Sequence, residues 1–320
     1  MFKKLNLKNL LIIFGGLFVL VVILKLCEHS KGDRNFRANF FEIDTAKISS
    51  ISIISRGSKE EVRIIRSGKL WNLIKKNKSH RAEKSAVESM IIELQNMKPD
   101  YVAAMEKSEW PQYQVTDTGS TRVKVEEGKK LVADFLVGKL SFKQYQQTTY
   151  VRLYNEDNIY AVNGILAMTF NREANDFRDK SMVRIGNPSF ITKLVFNYPD
   201  SSFTLVKELS GWNVNGIRTD SVKVMNYLNS IISLNGFDFV EDSEISGNQA
   251  FSIQIDGNNF KPIELKAFIT DAANQYIITS SSNSEGRFSG AKGELAKRVF
   301  VGLKYFKAIK TSDKSKSGKK

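Results

Sequence analysis

The residues best suited to chemistry form one short run, in which two carboxylates alternate with two cations. Asp176 and Asp179 lie beside Arg178 and Lys180. Two carboxylates act as general acid and base only where their surroundings separate their pKa values. Neighbouring cations instead favour ion pairs, so we interpret this run as an ion-paired turn between two halves of the chain. Arg178 is the candidate for holding it, through charge-assisted bonds to Asp176 or to a backbone carbonyl.

Other groups of reactive side chains are weaker candidates. A second acidic group, Glu241, Asp242 and Glu244, is typical of a polar loop. The two histidines, His29 and His80, have no second histidine or cysteine at ligand spacing, so the sequence offers no zinc site. A nucleophile elbow, a phosphate loop and a Cys-x-x-Cys pair are also missing from the sequence. We therefore predict no metal, no cofactor and no enzymatic activity.

Trp71 and Trp212 are the candidates for stacking against a sugar ring. Both are followed by asparagine, and both lie in similar strand patterns. Equivalent positions in two similar segments favour core packing, and we prefer that interpretation. A binding cleft built on these aromatic rings remains the alternative.

A basic connector precedes the first predicted helix. Its cations are interleaved with small polar residues and with no aromatic residue: Lys75, Lys76, Lys78, Arg81 and Lys84. Nucleic-acid binding would favour aromatic side chains among the cations, so we predict no nucleic-acid partner. We interpret the connector as a solvated loop. The alternative is contact with anionic lipid headgroups or an acidic partner, to which each clustered cation contributes about 1 kcal/mol.

An uninterrupted apolar run, LLIIFGGLFVLVVIL, fills residues 10–24. Extended to Leu26, with the ammonium of Lys25 reaching the headgroups, it approaches the length of about 20 residues that crosses a bilayer. A cleaved secretory signal would end in small residues, whereas this run ends at Leu26 and Cys27. We predict an uncleaved anchor at 10–26 and no lipid on Cys27. Three lysines before the run favour a cytoplasmic N-terminus and a body outside the cytoplasmic membrane; they are Lys3, Lys4 and Lys8.

The remainder of the chain contains two similar halves. Alternating strand patterns begin at Ile48 and at Ile191, and each half continues through a Trp-Asn strand to an amphipathic helix. The helix faces correspond, as Val87, Met90, Ile91, Leu94 and Met97 in the first half and Val224, Tyr227, Leu228, Ile231 and Leu234 in the second. Each helix is followed by a similar tripeptide, Asp100-Tyr101-Val102 or Asp238-Phe239-Val240.

This repetition predicts two tandem α+β units of antiparallel sheet with covering helices. Strands follow each helix, and Gly138-Lys139 is predicted to be a turn after one of them. A short helix near 165–170 closes the first unit and a longer one from 294 to 309 closes the second. The predicted organisation is a tail at 1–9, an anchor at 10–26, a linker at 27–40, repeats at 41–185 and 186–309, and a basic tail at 310–320.

Residues 41–185 resemble the domain of unknown function 4340 family. The resemblance rests on several short pieces, among them the Trp71 strand, Val137-Gly138-Lys139, Thr149-Tyr150-Val151-Arg152 and Asp176-Phe177-Arg178-Asp179-Lys180. Many members have a glycine after the tyrosine near Tyr113, where this chain has Gln114. The resemblance implies an N-terminal span, an extracytoplasmic body and an accessory role beside transporter-type membrane proteins.

Three hypotheses of function follow. The leading one is a non-enzymatic, membrane-anchored protein that binds envelope proteins, such as an ABC-type transporter or a gliding-related complex. The second is a cell-wall or glycan binding protein or enzyme with an aromatic cleft. The third is a cytoplasmic basic module for nucleic acid, which requires the opposite orientation in the membrane.

Overall fold

The computed structural model describes residues 14–21, 39–143, 146–240, 245, 248–270, 276–290 and 295–307. Residues 14–21 form a helix, α1, with exposed side chains. The rest of the predicted anchor, Cys27, His29, the acidic group at 241–244 and the tail at 310–320 lie outside the described residues. Within the described ranges, every helix is too short or too polar to cross a membrane.

A nine-stranded sheet contains the first set of strands, in the order β4-β3-β2-β1-β6-β7-β8-β9-β5. Every strand pairing assigned within it is antiparallel. The strands are β1 (Ile48–Ile54), β2 (Glu61–Ser67), β3 (Leu70–Lys75), β4 (Lys78–Arg81), β5 (Pro99–Ala104), β6 (Thr121–Glu127), β7 (Lys130–Lys143), β8 (Gln146–Leu153) and β9 (Ile159–Asn163).

An eight-stranded antiparallel sheet contains the second set, in the order β13-β12-β11-β10-β14-β15-β16-β17. Its strands are β10 (Ile191–Asn197), β11 (Phe203–Glu208), β12 (Gly211–Val214), β13 (Ile217–Arg218), β14 (Gln249–Gly257), β15 (Ile263–Ile269), β16 (Tyr276–Ser280) and β17 (Asn283–Ser289). The chain therefore has the α+β class predicted for it, with two mainly antiparallel sheets.

Helices connect and follow these strands. The described helices after α1 are α2 (Lys84–Asn96), α3 (Trp110–Tyr113), α4 (Leu166–Phe170), α5 (Ser221–Ile231), α6 (Leu295–Val299) and α7 (Leu303–Phe306), with 3-10 turns at Lys107–Glu109, Ala174–Phe177 and Pro188–Phe190. The predicted inner face of α5 is buried from Val224 to Ile231. Asp220 caps this helix, because its carboxylate accepts the backbone N–H groups of Val222 and Lys223 at 3.0 and 3.2 Å.

The two sheets share one strand order. Eight successive positions correspond, from β4 and β13 at one edge to β9 and β17. The ninth position, β5, pairs with β9. Its counterpart is an isolated bridge between Phe239 and Phe288 of β17, flanked by a 2.9 Å hydrogen bond from Val240 N–H to the Arg287 carbonyl. The matched tripeptides after the two helices thus occupy equivalent sheet edges.

The chain forms two compact units, each built from two separate segments of the sequence. The first comprises residues 1–66 and 88–172, and the second comprises residues 67–87 and 173–320. Strands β3 and β4 therefore group with the second unit. The second unit has a large apolar core that includes Trp212, Tyr227 and Phe288. The boundaries of the two sequence repeats, 41–185 and 186–309, stay a prediction.

Four local expectations are corrected. The connector at 75–81 is a β-hairpin, because β4 pairs with β3, and not a solvated loop. Gly138 and Lys139 lie inside β7, at a register shift opposite β8, and not in a turn. The alternating pattern from Ile48 is typical of a strand with one buried face, but β1 is buried on both faces, since Ser50 and Ser52 are buried with its isoleucines. The described part of the predicted helix at 294–309 is two short helices, because residues 300–302 interrupt it.

Candidate binding site

The β3–β4 hairpin positions most of the predicted site residues. Lys75 pairs with Lys78, so Lys76 and Asn77 form the two-residue turn, with φ of 46° and 62°. Positive φ at both central residues defines a type I′ turn, which suits the twist of a hairpin. Asparagine and glycine adopt this conformation readily, but lysine does so at a cost. The turn therefore holds the exposed Lys76 in an unusual backbone conformation.

Residues 177–179 run beside the end of this hairpin. Ala82 and Arg178 form an antiparallel bridge. The Asp179 N–H donates to the Arg81 carbonyl at 2.8 Å, and the Glu83 N–H donates to the Phe177 carbonyl at 2.8 Å. The ion-paired run predicted from the sequence is thereby fixed against the basic connector by backbone hydrogen bonds.

Asp179 is a buried carboxylate with several partners. Its Oδ1 accepts the Ser181 N–H at 2.9 Å and lies 3.4 Å from the Arg184 guanidinium. Its Oδ2 lies 3.7 Å from the Arg81 guanidinium. Because both oxygens face cations or donors, the buried charge is compensated. Asp179 therefore links Arg81, Arg184 and the Ser181 backbone within the site.

Asp176 has a different environment. Its Oδ1 accepts a hydrogen bond from the Lys180 ammonium at 3.1 Å, four residues further along the chain. Both side chains are partly exposed to solvent. This ion pair is the kind expected from the sequence, with Lys180 as the cation.

Arg178 is the most deeply buried cation of the site, with only 5% of its surface exposed. Its Nη1 donates to Asn175 Oδ1 at 3.2 Å, and its Nη2 lies 3.2 Å from His80 Nδ1. A guanidinium only donates, so His80 Nδ1 accepts and the imidazole carries its proton on Nε2. The guanidinium carbon also lies 3.7 Å from the centre of the Phe239 ring, within the range of a cation–π interaction.

Two cavities lie on this framework. The first, which we call the Trp71 cavity, has a volume of about 280 Å³ and is lined by residues that include Trp71, Arg81, Asp179, Arg184 and Ser282. The second, the basic cavity, has a volume of about 460 Å³, and its lining includes Lys75, Lys76, Lys78, His80, Arg178 and Arg287. The second volume falls in the range of small-molecule sites.

The two tryptophans differ in their surroundings. Trp71 is half-buried and lines the Trp71 cavity. Trp212 is 5% exposed and belongs to the core of the second compact unit. Core packing thus describes Trp212, whereas Trp71 presents part of its surface to a cavity. Their equivalent strand positions do not give them equivalent environments.

Several site residues escaped the sequence analysis. Asn283 donates through Nδ2 to the carbonyls of Asp179 and Ser181, at 2.9 and 3.0 Å. Glu285 accepts the Arg81 N–H at 3.1 Å. Arg184 and Arg287 line the two cavities. The polar run at 279–285, TSSSNSE, was the one sequence signal for Asn283 and Glu285, but it has no periodicity that predicts a partner.

Across the described ranges, no group of His, Cys, Asp or Glu could hold a metal ion.

Two mainly antiparallel sheets and short helices make this chain a two-sheet α+β protein. The chain belongs to the family described as Domain of unknown function (DUF4340), whose family model matches residues 71–250, more than half of the chain. The family resemblance drawn from the sequence is confirmed, and the matched range begins at Trp71 and extends into β14. No curated protein and no solved structure matches the chain.

Proposed function

We propose that the chain is a non-enzymatic, single-span protein of the cytoplasmic membrane whose extracytoplasmic body binds other envelope proteins. The supporting observation is the environment of Asp179, whose two oxygens are held by Arg81, Arg184 and the Ser181 N–H. Both oxygens are thus engaged by groups of the chain itself, an arrangement that suits a rigid binding surface.

Two further elements complete the proposal. The shared strand order of the two sheets supports a tandem repeat. The apolar run at 10–26 would tether both copies near the membrane. The candidate partners are an ABC-type transporter and a gliding-related envelope complex, as the family resemblance implies.

The experiment is affinity capture of the full chain from cross-linked membranes dissolved in mild detergent. A matched control carries the same body on an unrelated transmembrane segment in place of 10–26. The proposal expects the same envelope proteins with both chains, because the body makes the contact. Recovery of the bait alone would contradict the proposal.

Protease treatment of intact spheroplasts tests the orientation, since an extracytoplasmic body is cleaved from outside.

A second candidate function is glycan binding at the Trp71 cavity. A half-buried aromatic ring beside Asp179, Arg81 and Arg184 offers both a stacking face and polar groups for sugar hydroxyls. Trp71→Ala should abolish co-sedimentation with purified peptidoglycan, whereas Trp71→Phe, which keeps an aromatic face, should retain part of it. Equal co-sedimentation of wild type and Trp71→Ala would exclude this function at this cavity.

A further inference from the structure

The basic cavity has an excess of positive charge in its lining. Among the described residues that line it, five are cationic and one is a carboxylate, Glu285. The cationic residues are Lys75, Lys76, Lys78, Arg178 and Arg287. Like charges gathered around one concave space repel one another, so an anion in that space would relieve the repulsion. This charge distribution favours an anion over a cation or a neutral molecule.

A fixed guanidinium forms part of the wall. Arg178 is held by Asn175, by His80 and by the face of Phe239. An arginine whose orientation is set before binding loses little conformational entropy when it receives a planar or tetrahedral oxyanion. The lysines of the hairpin differ from it, because they are more exposed and add charge on flexible stems.

The turn supplies an independent observation. In the second sheet the equivalent type I′ turn is Asn215-Gly216, with φ of 48° and 78°, and these residue types suit the conformation. The first sheet has Lys76 at the corresponding position, with φ of 46°. Strained backbone of this kind is concentrated at functional sites. A lysine at the rim of the basic cavity thus replaces a residue that the turn alone would favour.

We propose that the basic cavity binds a phosphate-bearing ligand, either a soluble phosphorylated molecule or a phosphorylated lipid headgroup. Arg178 would contribute a fixed positive charge from the wall of the cavity, and the more exposed lysines of the hairpin would contact the phosphate and neutralise its remaining charge. A cavity of about 460 Å³ accommodates a phosphorylated group larger than a single inorganic ion. This inference stands independently of the protein partner proposed above.

The test uses the full chain purified in non-ionic detergent micelles. One arm titrates inorganic pyrophosphate by calorimetry. The other adds phosphatidic acid to the micelles, with phosphatidylcholine as the neutral comparison. The key variant is Lys76→Asn, which removes one charge from the cavity and suits the left-handed turn. Its matched control is Lys129→Asn, which removes one charge from the exposed turn between β6 and β7.

Lys76→Asn should weaken binding about fivefold, as expected for one lysine near a charged ligand, and Lys129→Asn should leave it unchanged. Binding of pyrophosphate would identify a soluble ligand, and binding that requires phosphatidic acid would identify a lipid headgroup. Absence of binding in both arms would overturn the proposal. Equal weakening by the two variants would overturn it as well, because the attraction would then come from net charge and not from the cavity.

Discussion

Ser49 and Thr192 occupy the same position in the two sheets, each as the extra residue of a β-bulge. Ser49 lies where the pairing of β1 with β6 shifts register, and Thr192 lies where the pairing of β10 with β14 does so. Each hydroxyl donates to a carbonyl of the partner strand, Ser49 to Glu126 at 3.0 Å and Thr192 to Asp256 at 3.5 Å. A bulge is a specific feature of a sheet, so this correspondence strengthens the case for a duplication.

The two bulge hydroxyls should differ in their contribution to stability. The Ser49 hydroxyl is also 3.1 Å from the Gly128 carbonyl, whereas the Thr192 contact lies at the limit of hydrogen-bond distance. We expect Ser49→Ala to lower the free energy of unfolding by about 1 kcal/mol, and Thr192→Val to lower it by less. Urea unfolding of the full chain in detergent would measure both. An equal loss would show that the second hydroxyl bond is stronger than its length suggests.

Gln114 should be a site of stored backbone strain. It ends α3 with φ of 57° and ψ of 39°, a left-handed conformation, and the family resemblance implies a glycine at this position in many members. Gln114→Gly should therefore raise the free energy of unfolding by about 0.5–1 kcal/mol, because glycine adopts this conformation without a steric penalty. Gln112→Gly, inside α3, is the control and should be destabilising. A loss of stability in Gln114→Gly would mean that the glutamine side chain makes a compensating contact.

Arg152 should be the residue of the first unit least tolerant of substitution. It is 2% exposed, donates to the carbonyls of Val115, Tyr154 and Glu156 at 3.0 to 3.2 Å, and stacks 3.7 Å from the Trp110 ring. Arg152→Met should cost about 3 kcal/mol, since it leaves the buried Val115 carbonyl and the part-buried carbonyls of Tyr154 and Glu156 without this donor. Thermal unfolding would show this cost as a lower melting temperature of the variant.

Arg63→Met provides the comparison for Arg152. Arg63 makes a half-exposed 3.4 Å contact with Glu126, and surface ion pairs contribute at most about 1 kcal/mol. A similar shift in melting temperature for the two variants would contradict the central role of Arg152.

Glu93 should make stability depend on pH. Burial raises the pKa of its carboxyl above the usual 4.5, so at a pH between the unfolded and the folded pKa the folded chain retains a proton that the unfolded chain has lost. The contribution of this group is most favourable below about pH 4.5 and declines as pH rises through its folded pKa. Glu93→Gln should flatten this decline in a series of urea unfolding curves. Glu88→Gln, on the same helix, is the control, and an unchanged slope in Glu93→Gln would refute the assignment.

The sequence predicted most central strands because their apolar residues repeat every second position. Strands such as β11 and β15 begin and end where the pattern does. Strands β4 and β13 were missed because KSHR and IR are too short or too polar for periodicity to detect. The alternation of serine and isoleucine in β1 predicts one buried face, with the serines towards solvent. In the structure the Ser50 hydroxyl instead donates to the Glu126 carboxylate at 2.6 Å.

The candidate site was predicted only in part, because many of its contacts join segments that are distant in sequence. Arg178 and Asp179 could be identified because they are adjacent to other charges in sequence. Their contacts with His80, Arg184 and Asn283 could not all be identified, since some join residues about a hundred positions apart. The exposure of Trp71 to a cavity likewise depends on side chains from distant segments.

The covered sheet edges have a consequence for the order of synthesis. Strand β5 and the segment at 238–240 are made before the strands that they border, β9 and β17. Neither edge can be completed until some fifty further residues have emerged, and such distant pairing is slow. During synthesis the backbone N–H and C=O groups of these segments are therefore unpaired for a time. A strand from a neighbouring copy could pair with them in that interval.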